Sequence, residues 1–225
     1  MNPFHIADLY ILINLNIKQA ILQCPSKMHY RWLKNTSWFQ SITLKPHHLP
    51  IPYLKNIDLS HTKIINDGLK YLSACHTLNL CGTNITDDGL KYLSACHTLN
   101  LVHTNITDEG LKYLSACRIL NLSWTKITDD GLKYLACHTL NLSWTNITDD
   151  GLKYLSVCHN LNLSYTSITD DGLKHLSAYH TLNLRWTNIT DDGLKYLSAC
   201  HTIDLRYTKV TDDGLKHLSC HTLLF

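Results

Sequence analysis

Apolar and polar positions alternate in a short block that recurs from residue 54 to the end of the chain. In its clearest copy, residues 140–155 (LNLSWTNITDDGLKYL), two leucines stand two positions apart and two later leucines stand three positions apart. The interval of two predicts a short strand with one buried face, and the interval of three predicts a helical segment. Each block is therefore predicted to be one strand followed by one short helix.

One glycine stands at the same point of every block and gives the period of the repeat. Successive glycines are 21 residues apart, except for one interval of 20. They are Gly68, Gly89, Gly110, Gly131, Gly151, Gly172, Gly193 and Gly214. One strand and one short helix cannot bury their own apolar side, whereas stacked copies can. The period therefore predicts a solenoid, with a parallel sheet on one wall and helices on the other.

Two units are one residue short, at Ala136-Cys137 and at Ser219-Cys220. Because the loss falls in the connection from helix to strand, we expect it to leave the strand register intact. The last copy reaches Phe225 with a strand and no capping residues, so we expect its sheet edge to be open.

The residues between strand and helix predict how each helix starts. Thr86, Asp87 and Asp88 suit the N-cap and first turn, where side-chain oxygens accept hydrogen bonds from free backbone N–H groups. We also expect an ion pair between Asp87 and Lys91, four residues later. A catalytic pair of carboxylates needs two different environments, and these pairs repeat in nearly identical ones. We therefore interpret the acidic pairs as helix caps.

The consensus C-x-x-L-x-L-x-x-T-x-I-T-D-D-G-L, which covers most of the chain, resembles the cysteine-containing leucine-rich repeat. Threonine stands where that family usually has asparagine or cysteine, at Thr83, Thr104, Thr125, Thr145, Thr166, Thr187 and Thr208. The resemblance implies an α/β fold, a curved leucine-rich-repeat solenoid with a parallel sheet on its concave side and short helices on its convex side. It would comprise eight full units and a terminal strand over residues 54–225.

Residues 1–45 do not fit the repeat, and their short apolar runs at helical spacing predict a small helical N-terminal module. This module resembles an F-box, which implies that it binds a Skp-type adaptor through Pro3, Ile6, Leu12, Leu15 and Trp38. It departs from the F-box pattern because His5 stands where an acidic residue is common. The alternative is a cap that closes the first apolar edge of the solenoid. Three prolines in residues 46–53 predict a stiff junction between this module and the repeats.

A varying position just past each predicted strand becomes aromatic in the C-terminal half of the chain. Together with two arginines it defines the predicted partner-binding residues of the concave face, Trp124, Trp144, Tyr165, Arg185, Trp186, Arg206 and Tyr207. Tryptophan, tyrosine and arginine are the residue types enriched at binding hot spots, so we predict a protein partner here. The alternatives are rings that stack on one another to stiffen the arc, and a groove for nucleic acid.

Three further rows recur from repeat to repeat. We expect the outward threonines and asparagines of the strands, such as Thr77 and Asn79, to form hydrogen-bond ladders between repeats. A second aromatic row is predicted on the convex side, where we expect packing between turns. It contains Tyr71, Tyr92, Tyr113, Tyr134, Tyr154 and Tyr196, with His175 and His217.

Seven cysteines share the strand-opening position, Cys75, Cys96, Cys117, Cys137, Cys158, Cys200 and Cys220. We expect buried free thiols. Six of them precede a histidine, and adjacent residues of a strand point to opposite faces, so such a pair cannot close one tetrahedral metal site. The sequence also contains no phosphate-binding loop or nucleophile motif. We therefore expect no metal, no cofactor and no enzymatic activity.

The charge balance of 20 basic and 18 acidic side chains disfavours nucleic acid and anionic membranes as partners. The first fifteen residues are apolar, but Asp8 interrupts them and no basic residue precedes them, which makes a poor signal peptide and too short a membrane span. In a secreted chain the Asn-x-Ser/Thr motifs would place sugars on the concave face. We therefore expect a cytoplasmic or nuclear protein that is not secreted.

These features predict a non-enzymatic protein-recognition module. By resemblance, it would be the substrate-receptor subunit of a cullin–RING ubiquitin ligase of the SCF type. The N-terminal module would bind the Skp-type adaptor, and through it the cullin, while the concave face holds the target. The alternative is a leucine-rich-repeat scaffold or effector with no role in ubiquitination, whose N-terminus is only a cap.

Overall fold

The sheet of the solenoid consists of nine three-residue strands in sequence order, all parallel. The computed structural model describes residues 56–176, 179–216 and 218–225. The strands are β1 (Asn56–Asp58), β2 (Thr77–Asn79), β3 (Thr98–Asn100), β4 (Ile119–Asn121), β5 (Thr139–Asn141), β6 (Asn160–Asn162), β7 (Thr181–Asn183), β8 (Thr202–Asp204) and β9 (Thr222–Leu224). The N-terminal module and the proline-containing junction lie outside the described residues, and so do all five predicted adaptor contacts.

A short helix follows each of the strands β1 to β8 in the described part of the chain. Four are single α-helical turns, α1 (Asp87–Leu90), α2 (Asp108–Leu111), α3 (Asp170–Leu173) and α4 (Asp212–Leu215). The other four are 3-10 helices, at Asn66–Leu72, Asp129–Tyr134, Asp149–Tyr154 and Asp191–Tyr196. The predicted α/β solenoid is confirmed, with a parallel sheet on the concave side and short helices on the convex side.

Every repeat contributes the same apolar positions to one continuous core. In the repeat that contains β5, the strand leucine Leu140 and the helix leucines Leu152 and Leu155 are at most 1% exposed. Burying one such side chain contributes about 1.5–3 kcal/mol. The core is a column of equivalent side chains, and each repeat is stabilised mainly by its two neighbours.

The two short repeats keep their strand register, as predicted. Leu120 pairs with Leu140 and Ile203 pairs with Leu223, each across an interval of 20 residues. In the first case the missing residue is absorbed where the 3-10 helix ends. Leu135 has ψ 137° there, whereas the equivalent Leu155 has ψ 12°. An extended residue covers more distance than a helical one, so the shorter connection still reaches the next strand.

The threonines and acidic residues stand at the predicted N-cap and first-turn positions, but the predicted capping hydrogen bonds are wrong. The threonine before the helix makes no side-chain capping bond to its own helix, as at Thr107, Thr128 and Thr148. Its hydroxyl instead donates to the first aspartate of the preceding repeat, which joins the repeats in the pairs Asp87–Thr107, Asp108–Thr128, Asp129–Thr148, Asp149–Thr169, Asp170–Thr190 and Asp191–Thr211. The acidic residue is therefore a link between helices and not a cap.

Two other expectations about polar side chains fail at most of the positions concerned. The described residues contain no Asp87–Lys91 ion pair, and the Lys91 ammonium instead lies 5.1 Å from the ring centre of Tyr92.

The asparagines of the Asn79 row bond within their own repeat, whereas Asn160 Nδ2 donates to Thr139 Oγ1 of the preceding repeat at 3.2 Å. Asn141 Oδ1, for example, accepts a hydrogen bond of 3.0 Å from the backbone N–H of Ser143. This hydrogen bond, from a backbone N–H to the side chain two residues earlier, stabilises the turn after the strand. The candidate site begins in that turn.

The convex aromatic row is divided in its environment. Tyr92 and Tyr113 pack against the core, whereas Tyr134, Tyr154 and Tyr196 are 37–39% exposed. The expected packing role therefore fits the first two of these tyrosines. The His217 residue and the side chain of Tyr71 lie outside the described part of the chain.

Candidate functional site

The aromatic residues that follow the strands all have a left-handed backbone. Their φ angles lie between 57° and 61° at Trp124, Trp144, Tyr165, Trp186 and Tyr207, which we call the aromatic stripe. In the turn after β2 the same position is Gly82, with φ 65°. L-residues other than glycine adopt this conformation at a cost of about 1–2 kcal/mol. The aromatic side chains are therefore retained at positions that the backbone alone would assign to glycine.

Backbone pairing between repeats continues into these turns and aligns them. The N–H of Trp144 donates to the carbonyl of Ser164 at 3.2 Å, and the N–H of Tyr165 donates to the carbonyl of Arg185 at 3.0 Å. Each turn is thus fixed to the next in the same orientation, so equivalent side chains project in parallel. The stripe consequently runs along the edge of the sheet at which the strands end.

The rings of the stripe stack face to face in one column. The ring centres of Trp124 and Trp144 are 4.4 Å apart, and those of Trp144 and Tyr165 are 4.0 Å apart. The column continues from Tyr165 to Trp186 at 5.6 Å and from Trp186 to Tyr207 at 4.7 Å. The stacking alternative raised by the sequence is therefore realised. These distances leave no space for a further planar group between the rings.

Stacking covers the ring faces and leaves the ring edges in solvent. Trp124, Trp144 and Trp186 are 43–47% exposed, and Tyr207 is 59% exposed. The column begins one repeat earlier than predicted, because the His103 ring lies 4.9 Å from that of Trp124. The sequence could have indicated His103, because it occupies the same register of the repeat as the stripe. In the structure its backbone is left-handed as well, with φ 53°. The result is a rigid, exposed row of aromatic edges.

The two arginines of the predicted site have different partners. Arg206 forms a bidentate pair with the buried carboxylate of Asp204, from Nε to Oδ1 at 3.0 Å and from Nη2 to Oδ2 at 2.7 Å. Burial alone would raise the pKa of the Asp204 carboxyl, but the hydrogen bonds of Arg206 and the charge of Arg185 lower it. The Arg185 guanidinium lies 4.8 Å from the ring centre of Tyr207. Its buried Nε has no hydrogen-bond partner among the described residues.

The strand-opening cysteines and histidines point apart, as predicted. Six thiols at this position are at most 5% exposed, whereas the neighbouring histidines lie at the surface and stack on one another, as His138 does on His159 at 4.4 Å. Burial raises the pKa of Cys96 and Cys158 to about 11. The described residues contain no group of three or more potential ligands arranged for a metal ion.

Comparisons with known proteins place this geometry in a family. The family model described as Leucine Rich repeat matches residues 76–94, 97–115, 118–136, 138–156, 159–177 and 180–198, together 114 of the 225 residues. No F-box model matches. No curated protein matches the sequence. Within the described ranges, no helix has the length and hydropathy needed to cross a membrane.

Solved structures of similar fold come from bacteria, a plant and mouse. An internalin (inlF) of Listeria monocytogenes is 22% identical with a TM-score of 0.62, over 77% of this chain and 55% of that chain. The internalin C2 of the same organism is 24% identical with a TM-score of 0.61, over 75% and 78% of the two chains. The Arabidopsis receptor kinase HAESA, in complex with the peptide hormone IDA and the co-receptor SERK1, is 16% identical with a TM-score of 0.58, over 93% and 40%. The sequence match and the stacked strand–helix units agree: this chain belongs to the leucine-rich-repeat family.

Proposed function

We propose that this protein is a protein-recognition module whose partner lies along the aromatic stripe and the adjoining concave surface. The observation that carries the proposal is the column of exposed ring edges from Trp124 to Tyr207. Its rings are held by stacking before any partner arrives, so little side-chain freedom is lost on binding. Large, rigid aromatic side chains are the typical anchors of recognition surfaces.

The leucine-rich-repeat family supports this reading, and so does the similar HAESA structure, which contains a peptide hormone and a co-receptor. A nucleic-acid groove receives no support from the stripe. Single-stranded nucleic acid binds by stacking bases on free aromatic faces. The faces of the inner rings are occupied here by neighbouring rings, which favours a partner that contacts ring edges.

The test is affinity capture with the immobilised full chain and with an Asn146→Glu variant. Asn146 is exposed and lies two residues after Trp144, so the variant adds bulk and charge beside the column without removing a ring. Asn84→Glu is the matched control, because Asn84 is the exposed equivalent in the repeat that carries Gly82 in place of a ring. We expect a protein that is retained by the chain and by the control and is lost with Asn146→Glu. Equal retention of the protein by the full chain and by both variants would rule out the stripe as its binding site.

The narrower hypothesis is a substrate receptor of an SCF-type ubiquitin ligase, in the cytoplasm or nucleus. It is supported only by the resemblance of Pro3, Ile6, Leu12, Leu15 and Trp38 to an F-box. Its test is co-purification of a Skp-type adaptor and cullin with the full chain and with an Ile6→Asp/Leu12→Asp variant whose repeats retain their circular dichroism. Stoichiometric co-purification of the adaptor with the full chain, but not with the variant, would support the ligase role. Absence of the adaptor from both would leave the alternative, a leucine-rich-repeat scaffold or effector.

A further inference from the structure

The charged side chains of the repeats are sorted between the two halves of the unit. We divide each described repeat into a strand segment, from the strand-opening residue to the isoleucine or valine after the stripe, and a helix segment, which is the remainder. The helix segments contain 15 acidic and 8 basic residues, a net charge of −7. The strand segments contain six basic and two acidic residues, a net charge of +4 with neutral imidazoles. The near-neutral total of the whole chain conceals this separation.

The two acidic residues of the strand segments are already engaged. Asp58 Oδ1 accepts a hydrogen bond of 2.8 Å from the Ser60 backbone N–H, and Asp204 is bound bidentately by Arg206. Of the six basic residues of the strand segments, only Arg206 forms an ion pair with another described residue, although carboxylates of the helix segments lie within four residues of some of the six. The six are Lys63, Arg118, Lys126, Arg185, Arg206 and Lys209. The sheet side of the solenoid therefore presents net positive charge.

Arg185 is the cation of this surface that lies against the aromatic stripe without a carboxylate hydrogen-bonded to it. Its guanidinium is oriented by the ring of Tyr207, and its side chain makes no hydrogen bond to any described residue. The neighbouring Asp204 has both oxygens bonded to Arg206, so it does not serve as a hydrogen-bonded partner of Arg185. A planar guanidinium with free N–H groups at the end of an aromatic column is suited to a carboxylate of a bound partner.

We propose that the partner is an acidic polypeptide segment, with its apolar side chains against the ring edges of the stripe and a carboxylate on Arg185. The inference deepens the proposed function and rests on it. Nucleic acid is the less favourable polyanion, because the inner rings of the stripe have no free face for a base. A second copy of this chain also offers acidic helix segments. Its binding would appear as self-association of the chain, which distinguishes it from binding of an acidic segment.

The probe is a fluorescein-labelled oligoglutamate of about twelve residues, which reaches roughly 40 Å when extended and so can follow the column. Fluorescence anisotropy with the full chain should show binding that weakens as salt screens the charges. Oligoglutamine and oligolysine of the same length should not bind. Arg185→Gln should weaken binding about tenfold, the expected effect of one charge-assisted hydrogen bond.

Lys153→Gln is the matched control, since it removes the same charge from a helix segment and should leave the affinity unchanged. Arg118→Gln, at the exposed position that follows the strand-opening Cys117 and lies away from Tyr207, should weaken binding even if Arg185→Gln fails to fold. Equal losses in Lys153→Gln and Arg118→Gln would overturn the proposal, because attraction would then be unspecific. Tighter binding of oligoadenylate RNA would overturn it in favour of nucleic acid.

Salt-sensitive self-association of the chain, in place of oligoglutamate binding, would overturn the proposal in favour of a second copy. The two proposals can fail separately. Suppose that a captured protein is lost with Asn146→Glu but oligoglutamate does not bind. The recognition function would then be supported, and the acidic partner would be contradicted. Suppose instead that oligoglutamate binding depends on Arg185 but is unchanged by Asn146→Glu. The acidic partner would then be supported, and the stripe would not be part of its binding site.

Discussion

The carboxylate of Asp149 accepts two hydrogen bonds from Thr169 in the following repeat. The Thr169 backbone N–H donates to Oδ1 at 2.9 Å, and its hydroxyl donates to Oδ2 at 2.5 Å. Five further repeat pairs share this geometry. In the first described repeat Asn66 replaces the aspartate: its Oδ1 accepts from the Thr86 backbone N–H, and its Nδ2 donates to the Thr86 hydroxyl. A residue that looks like a helix cap in the sequence therefore fastens one repeat to the next.

Removing this link should destabilise the solenoid. We expect Asp149→Ala to lower the free energy of unfolding by about 1–2 kcal/mol, because two partly buried donors of Thr169 lose a charged acceptor. Asp149→Asn should be nearly neutral, since Asn66 already performs this role. Urea unfolding followed by circular dichroism measures both. The control is Asp150→Ala, at the exposed neighbouring aspartate, and a loss there as large as that of Asp149→Ala would contradict the assignment.

The repeated glycine is explained by the same link. A Cβ atom at Gly172 would collide with Asp149 Oδ1 and would stand 2.8 Å from Leu152 Cδ1. We expect Gly172→Ala to cost about 1–3 kcal/mol through overpacking, against its gain in helix propensity. In an Asp149→Ala background the cost should shrink, because the colliding carboxylate is gone. A double-mutant cycle in urea tests this coupling, and strictly additive losses would show that the two residues are independent.

The left-handed backbone of the stripe predicts an unusual order of variants at Trp144. Trp144→Ala removes two stacking contacts and keeps φ at 59°, so we expect a loss of about 1–3 kcal/mol. Trp144→Gly removes the same contacts but relieves the backbone, as Gly82 does naturally, and should be more stable than the alanine variant by about 1 kcal/mol. Urea midpoints of the two variants decide the matter. An alanine variant more stable than the glycine variant would show that the turn has changed conformation.

Buried thiols predict a loss of stability at alkaline pH. Burial, with the charge of Cys96, raises the pKa of Cys117 to about 12 from an ordinary value of 9.0. Above about pH 9 the unfolded chain releases a proton that the folded chain retains, so each such thiol lowers the stability by roughly 1.4 kcal/mol per pH unit. Below pH 8 both states hold the proton and this contribution is constant.

Urea unfolding of the protein and of Cys117→Ala at pH 8 and pH 10 measures the effect. The variant should lose less stability between the two pH values than the parent. Lysines and tyrosines that also titrate in this range are common to both proteins, so the difference isolates the thiol. Identical losses would show that Cys117 is ionised equally in the folded and unfolded chains.

The sequence alone determined the repeat, its strand and helix segments, and the inward register of leucines and cysteines. Local spacing encodes these features: a period of two places Leu140 and Leu142 on one face, and stacking is the only way to bury that face. It also located the stripe, because Trp144 and its equivalents share one register. A composition close to neutral gave no hint that basic residues collect on the strand segments, although the repeat alignment contains that information.

Only the tertiary structure decided which side chains meet across repeats. Asp149 and Thr169 are 20 residues apart, and Trp144 and Tyr165 are 21 apart, so their contact depends on how far each unit is rotated against the next. The stripe further depends on a positive φ that tryptophan and tyrosine rarely adopt. Local propensity favours a side-chain capping hydrogen bond between Thr169 and its own helix, and it favours glycine at the position of Trp144. The stacked neighbours outweigh it, by supplying a carboxylate in one place and a ring face in the other.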